Sequence, residues 1–156
     1  MLKTEELQLV SEWDKTFPKS EKVDHEKVTF VNRYGITLAA DLYKPKNASG
    51  KYPAIAVSGP FGAVKEQCSG LYAQTMAERG YLTIAFDPSF TGESGGYPRF
   101  MASPDINTED FMAAVDFLSV REEVDQDRIG IIGICGWGGM ALNAAALDTC
   151  LLYTSD

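Results

Sequence analysis

The chain has 156 residues, enough for one domain and too few for two of ordinary size. Hydrophobic residues at 45% and charged residues at 23% exclude a wholly disordered chain. Fourteen basic against 22 acidic residues leave a net charge of −8, which makes nucleic acid and anionic membranes poor partners. No apolar run approaches the roughly 20 residues that span a bilayer. The start, Met1-Leu2-Lys3-Thr4-Glu5-Glu6, carries acid where a signal peptide carries base. Cys68, Cys135 and Cys150, with no CxxC pair, suggest neither a disulfide framework nor a zinc site. The expected location is cytoplasmic, with no cofactor or metal, a small molecule as the expected partner, and the oligomeric state open.

Residues 1–26 read as a polar leader, loose or folded into a short docking helix. Val28-Thr29-Phe30-Val31 and Ile36 to Tyr43 are rich in β formers and flank Asn32-Arg33-Tyr34-Gly35, which predicts an antiparallel hairpin. Pro53 to Val57 is a continuous apolar run, the mark of a strand covered on both faces. Gln67 to Arg79 predicts a helix with Leu71, Tyr72, Thr75 and Met76 on its inner face and Gly80 at its end. Tyr81 to Phe86 is a second buried strand, followed by a long loop from Ser89 to Ile106. Thr108 is a candidate cap for a helix to Leu118, with Phe111, Val115 and Leu118 inward. Arg128 to Ile134 is the most apolar strand of all, and Gly138 to Leu147 reads as an Ala-rich helix. Strands alternating with helices over short connectors predict an α/β fold with parallel strands and a hairpin at one edge.

In such sheets chemistry gathers at the carboxyl ends of the strands. The most informative turn there is Gly133-Ile134-Cys135-Gly136-Trp137-Gly138-Gly139. It lacks the Lys-Ser/Thr of a P-loop, and it follows the strands rather than opening them, so nucleotide binding is disfavoured. A nucleophile elbow needs small neighbours two positions from its apex, and it places a thiol at the positive end of the next helix.

The order of hairpin, strand, Gly59-Pro60-Phe61-Gly62 loop, helix, strand, Asp87 to Gly96 loop, helix and Gly-x-Cys turn resembles the α/β-hydrolase superfamily, closest to its dienelactone-hydrolase-like branch. The resemblance covers residues 27 to about 149. It implies the N-terminal part of a hydrolase sheet: a β-hairpin and three parallel strands with crossover helices, the C-terminal strands absent. By that resemblance Cys135 is the nucleophile candidate in an elbow of Gly133, Trp137, Gly138 and Gly139, and the backbone N–H groups of Phe61 and Gly136 form an oxyanion hole. A shifted register satisfies the small-neighbour rule better. It puts Trp137 at the apex and turns the chain into a non-catalytic small-ligand binder.

The acid and histidine of a triad have no counterpart after Cys135, and the sole histidine, His25, reads as a surface residue of the leader. The expectation is a fragment, inactive as given, of a hydrolase acting on small carboxylic esters, lactones or thioesters. Residues 150–156, Cys-Leu-Leu-Tyr-Thr-Ser-Asp, resemble the in-frame translation of a sequencing-library adaptor and read as a non-native tail.

Overall fold

The computed structural model describes residues 5–46 and 49–149, so the expected tail lies outside the described residues. Two strands, β1 (Val23–Val31) and β2 (Thr37–Pro45), pair antiparallel from Val23 opposite Pro45 to Val31 opposite Thr37. Asn32 closes their turn because its side-chain Oδ1 accepts from the N–H groups of both Tyr34 and Ile36, each at 3.0 Å. The first strand starts five residues before the predicted Val28, so His25 belongs to the sheet.

The remaining elements follow the expected alternation. They are β3 (Tyr52–Ser58), α1 (Cys68–Glu78), β4 (Leu82–Phe86), α2 (Pro104–Ser119), β5 (Val124–Gly133) and α3 (Trp137–Leu147). The five strands lie in the order β1-β2-β4-β3-β5, with β4 and β5 both parallel to β3 and the hairpin at one edge. Alternation along β3 divides the core: Ala54 and Ala56 face α2 and α3, whereas Ile55 and Val57 face α1. That two-sided burial is why the strand reads as an unbroken apolar run. This is the fold of the N-terminal part of an α/β hydrolase.

Two helices depart from expectation. The predicted inner face of α1 is partly outside, with Leu71 45% and Tyr72 51% exposed, while Ser69, Gly70, Ala73, Gln74 and Ala77 are buried. Small residues let the helix approach closely: a Cβ at Gly70 would meet the Lys65 carbonyl and the Phe17 ring. Gln74 can be buried because it accepts from Ser20 N–H at 3.1 Å and donates to the Pro18 carbonyl at 3.0 Å. Those partners belong to the stretch expected to be a loose leader or a docking helix. It is neither, since irregular chain carries Trp13 and Phe17 onto the sheet. Helix α2 starts four residues before Thr108, with Ser103 as N-cap and Pro104 in the first turn, where a missing N–H does no harm. Phe111, Val115 and Leu118 are fully buried, as the spacing predicts.

Among the described residues no helix is long and apolar enough to cross a membrane.

Candidate active site

The turn between β5 and α3 presents a thiol. Cys135 has φ +60°, the left-handed region that a side chain other than glycine's rarely enters, and its residue is exposed. Trp137, the alternative apex, is instead the first residue of α3 and only 1% exposed. Of the two candidate positions, Cys135 holds the left-handed backbone and Trp137 lies in the helix.

The large residue two places on is accommodated because its side chain runs under the turn into the core. Its ring lies against Phe111 at 5.4 Å, Phe86 at 6.1 Å and Phe61 at 6.3 Å. The demand for smallness falls elsewhere. At Gly133 a Cβ would come too close to the Trp137 carbonyl oxygen. At Gly59, with φ +105°, it would stand 2.8 Å from the Trp137 Cβ.

The loop after β3 reaches the same place. A Cβ on Gly136 would clash with the Phe61 ring, so the two residues expected to supply oxyanion donors are in contact. Among the described residues, neither the Phe61 nor the Gly136 backbone N–H donates to an acceptor. Gly138 and Gly139 fall inside the first turn of α3.

Among the described residues, no side chain is hydrogen-bonded to the thiol. The single imidazole, His25, sits on β1, at the sheet edge opposite β5. Its expected surface role is corrected too: the side chain is 12% exposed, with Nε2 2.7 Å from Asp41 Oδ1 and the ring against Trp13 and Tyr43. Asp41 is fully buried and also meets Lys15 Nζ at 3.0 Å. The strand carrying His25 lies under residues 13–17, which is what takes it out of solvent.

Sequence reasoning missed a second polar assembly on the same side of the sheet. Lys65, fully buried, donates from its backbone N–H to Asp87 Oδ1 at 2.8 Å and from Nζ to Asp87 Oδ2 at 2.9 Å. Nζ also reaches Glu93 at 2.6 Å, and Glu93 receives Lys27 Nζ at 2.7 Å. Burial by itself would lower the Lys65 pKa, but the charges of Asp87, Glu66 and Glu93 outweigh it and hold the ammonium above its ordinary value. For Glu93 burial pulls upward, and hydrogen bonds from Lys27 and Lys65 prevail, keeping its carboxyl below the ordinary value. Glu66 is raised by burial and by the neighbouring Asp87 charge. Asp14, Glu66 and Glu93 converge closely enough to ligate a cation. The cation among them is already Lys27, 3.4, 3.8 and 2.7 Å from the three. The assembly thus serves to fix loops: it ties the loop after β3, which carries Phe61, to the loop after β4. A lysine in a polar loop has no periodicity to betray it, and its signal in the sequence was nil.

Comparison with known proteins agrees with this fold. The chain is 75% identical over 144 residues to the uncharacterized Pseudomonas aeruginosa protein PA2218, covering 92% of this chain and 39% of that protein. The crystal structure of PA2218 superposes with a TM-score of 0.92 over 94% of this chain and 46% of that one. A thiohydrolase from Aspergillus aculeatus, aneE, is 33% identical over 83% of this chain and 40% of its own length. The α/β hydrolase GrgF from Penicillium is 28% identical, with a TM-score of 0.76 over 82% of this chain and 43% of that one. The chain therefore spans about two fifths of the length of the curated relatives it matches. The description of the X-Pro dipeptidyl-peptidase (S15) family matches residues 34–152. The chain belongs to that family, a member of the α/β-hydrolase clan.

Proposed function

We propose that this chain carries the nucleophile and oxyanion hole of a hydrolase acting on small carboxylic esters, lactones or thioesters. The observation that carries the reading is Cys135, exposed and strained at a strand-to-helix turn. Two backbone donors stand free beside it, and the thiohydrolase relative supports acyl chemistry.

In this reading the Cys135 sulfur attacks the carbonyl carbon, and the carbonyl electron pair moves to oxygen between the N–H groups of Phe61 and Gly136. Collapse of that adduct forms an acyl-thioester and expels an alkoxide or thiolate, which takes a proton from the general acid. Water then adds to the thioester, releases the carboxylic acid and returns the thiol. The base and the group that orients it come from the part of the relatives' length that this chain does not span. The 156-residue chain alone is accordingly inactive, and the cytoplasmic location and small-molecule substrate remain part of the same proposal.

The test is hydrolysis of p-nitrophenyl acetate by the product of the complete reading frame. Cys135→Ala is expected to lower kcat/KM by about 10⁴-fold or more. Equal rates with and without the thiol would overturn the reading. Ligand binding with no turnover in the parent would favour the non-catalytic binder instead.

A further inference from the structure

Residues 10–17 run from the hairpin edge of the sheet to the loop that carries Phe61. Two anchors seat them on the hairpin. The Trp13 ring meets His25 of β1 edge-on at 5.1 Å, and its Nε1 donates to the Phe17 carbonyl at 2.9 Å. Lys15 Nζ pairs with Asp41 of β2 at 3.0 Å, both side chains being fully buried.

From these anchors the segment reaches both loops. Thr16 N–H donates to the Glu66 carbonyl at 2.9 Å, and the Phe17 ring packs where a Cβ on Gly70 of α1 would stand. Val10 N–H donates to Glu93 Oε1 at 2.7 Å. The Lys27 ammonium of β1 lies among Asp14 of the segment, Glu66 of the loop after β3 and Glu93 of the loop after β4. One cation thus joins three stretches of chain, a network rather than an isolated surface pair.

The loop after β3 has little slack to absorb movement at Glu66. Ala63 N–H donates to the Pro60 carbonyl at 3.1 Å, closing a turn around Phe61 and Gly62. The next turn closes from Gln67 N–H to the Val64 carbonyl at 3.0 Å, and Gln67 Oε1 accepts from Val64 N–H at 3.2 Å. A displacement of Glu66 therefore carries through to the Phe61 N–H. The Lys65–Asp87 pair fixes the loop at one point, about which it could still pivot. Attachment of Glu66 to residues 10–17 supplies a second point and removes the pivot.

We propose that residues 10–17 are a strap that positions the Phe61 N–H against the Cys135 turn, with Trp13 and Lys15 as its anchors and Thr16 as its link to the loop. The use of that N–H as an oxyanion donor rests on the hydrolase reading above. The strap precedes the stretch matched by the family, which begins at residue 34. It acts through Phe61 and touches no reacting atom. A misplaced donor weakens the hold on the transition-state oxyanion more than on the substrate carbonyl, so the strap governs kcat rather than KM.

The test compares Trp13→Ala, Trp13→Phe and the wild type in the product of the complete reading frame. In Trp13→Ala the backbone amides of residues 61–66 should exchange with deuterium at least tenfold faster, while those of β3 and β4 stay within twofold. Its kcat for p-nitrophenyl acetate should fall about tenfold with KM within twofold, since a small misplacement of a catalytic donor is felt mainly in the chemical step. Trp13→Phe keeps a ring against His25 and should recover most of both losses. Should Trp13→Ala lose its native circular dichroism, Asp14→Asn, which strips one carboxylate from Lys27 and Lys15, provides the same reading at a smaller factor. Loop exchange that is unchanged, or that rises equally in β3 and β4, overturns the strap. Faster exchange confined to the loop, in a product that hydrolyses nothing, overturns the acyl-transfer reading and leaves the strap standing. Turnover with a kcat that ignores Trp13→Ala does the reverse.

Discussion

The loop from Gly59 to Glu66 joins two regions at the carboxyl ends of the strands that are built on opposite terms. At its far end Lys65 is buried with its ammonium shared among Asp87, Glu66 and Glu93, and its backbone N–H is bonded as well. At its near end Phe61 and Gly136 leave N–H groups without acceptors, and Cys135 and Phe100 hold left-handed backbone. The contrast is informative because strain and open donors persist only where the surroundings over-determine them. The saturated end is what permits the unsaturated one. A group that stabilises a transition state must be free in the resting protein, so the candidate site is found where local hydrogen bonding fails.

The comparison breaks hardest at Lys65. Lys65→Met removes the counter-charge from Asp87, which is fully buried and keeps only its backbone donors. Leaving one partner of a buried pair uncompensated costs about 3–5 kcal/mol. Chemical denaturation should show that loss, and Asp87→Leu added to Lys65→Met should recover part of it. A loss below about 1 kcal/mol would mean that the loop after β3 does not depend on the cluster.

At the hinge between the two ends, Gly59→Ala is expected to cost about 2–4 kcal/mol, combining a left-handed residue with overpacking. The added Cβ would face the Ile134 carbonyl and the Trp137 side chain, and neither can retreat without moving the elbow. Thermal melting monitors the loss. Under the proposed function, kcat of the complete product should fall with it, because Trp137 cannot shift without carrying Cys135.

The pH dependence of the saturated end has a definite sign. The Glu93 carboxyl is held below its ordinary value in the folded chain, so its stabilisation is present above the unfolded pKa and is lost as pH falls through the folded one. Glu66 and Asp110 are raised, chiefly by burial, and run the other way, so acid relieves part of their burden. The clean quantity is therefore the stability gap between the wild type and Glu93→Gln, measured from pH 7 down to pH 3. That gap should be constant above the ordinary glutamate range near pH ~4.3 and close below it. A gap that widens in acid would reverse the assignment.

Much of the scaffold was legible because its central strands β3 and β4 are covered on both faces, and a run such as Pro53–Val57 can be little else. The Gly133–Gly139 turn was legible for a steric reason, since glycine clusters mark close backbone approach. What could not be read depends on contacts made through polar or small side chains. Helix α1 buries Gly70, Ala73 and Gln74 against residues 17–20, so its hydrophobic spacing pointed at the wrong face. Lys65 lies in a loop where nothing local distinguishes a buried lysine from a solvated one. His25 looked solvated for the same reason, its partner Asp41 being supplied by the next strand.

The smallest expected effect separates strain from packing at the elbow itself. Cys135 is exposed, so removing its side chain takes away little buried surface, and what changes is the backbone cost of φ +60°. A left-handed conformation costs a residue with a Cβ about 1–2 kcal/mol. Glycine adopts it freely but surrenders roughly 0.5–1 kcal/mol more chain entropy on folding. The difference predicts that Cys135→Gly is more stable than the wild type by about 0.5–1 kcal/mol, although the same substitution removes the proposed nucleophile. Gain of stability with loss of function at one position is the signature of a strained functional residue. Urea denaturation of Cys135→Gly, Cys135→Ala and the wild type, run side by side, decides it. If glycine falls below alanine, the left-handed backbone is no burden to the folded chain, and the contrast between the two ends of the loop loses its strained half.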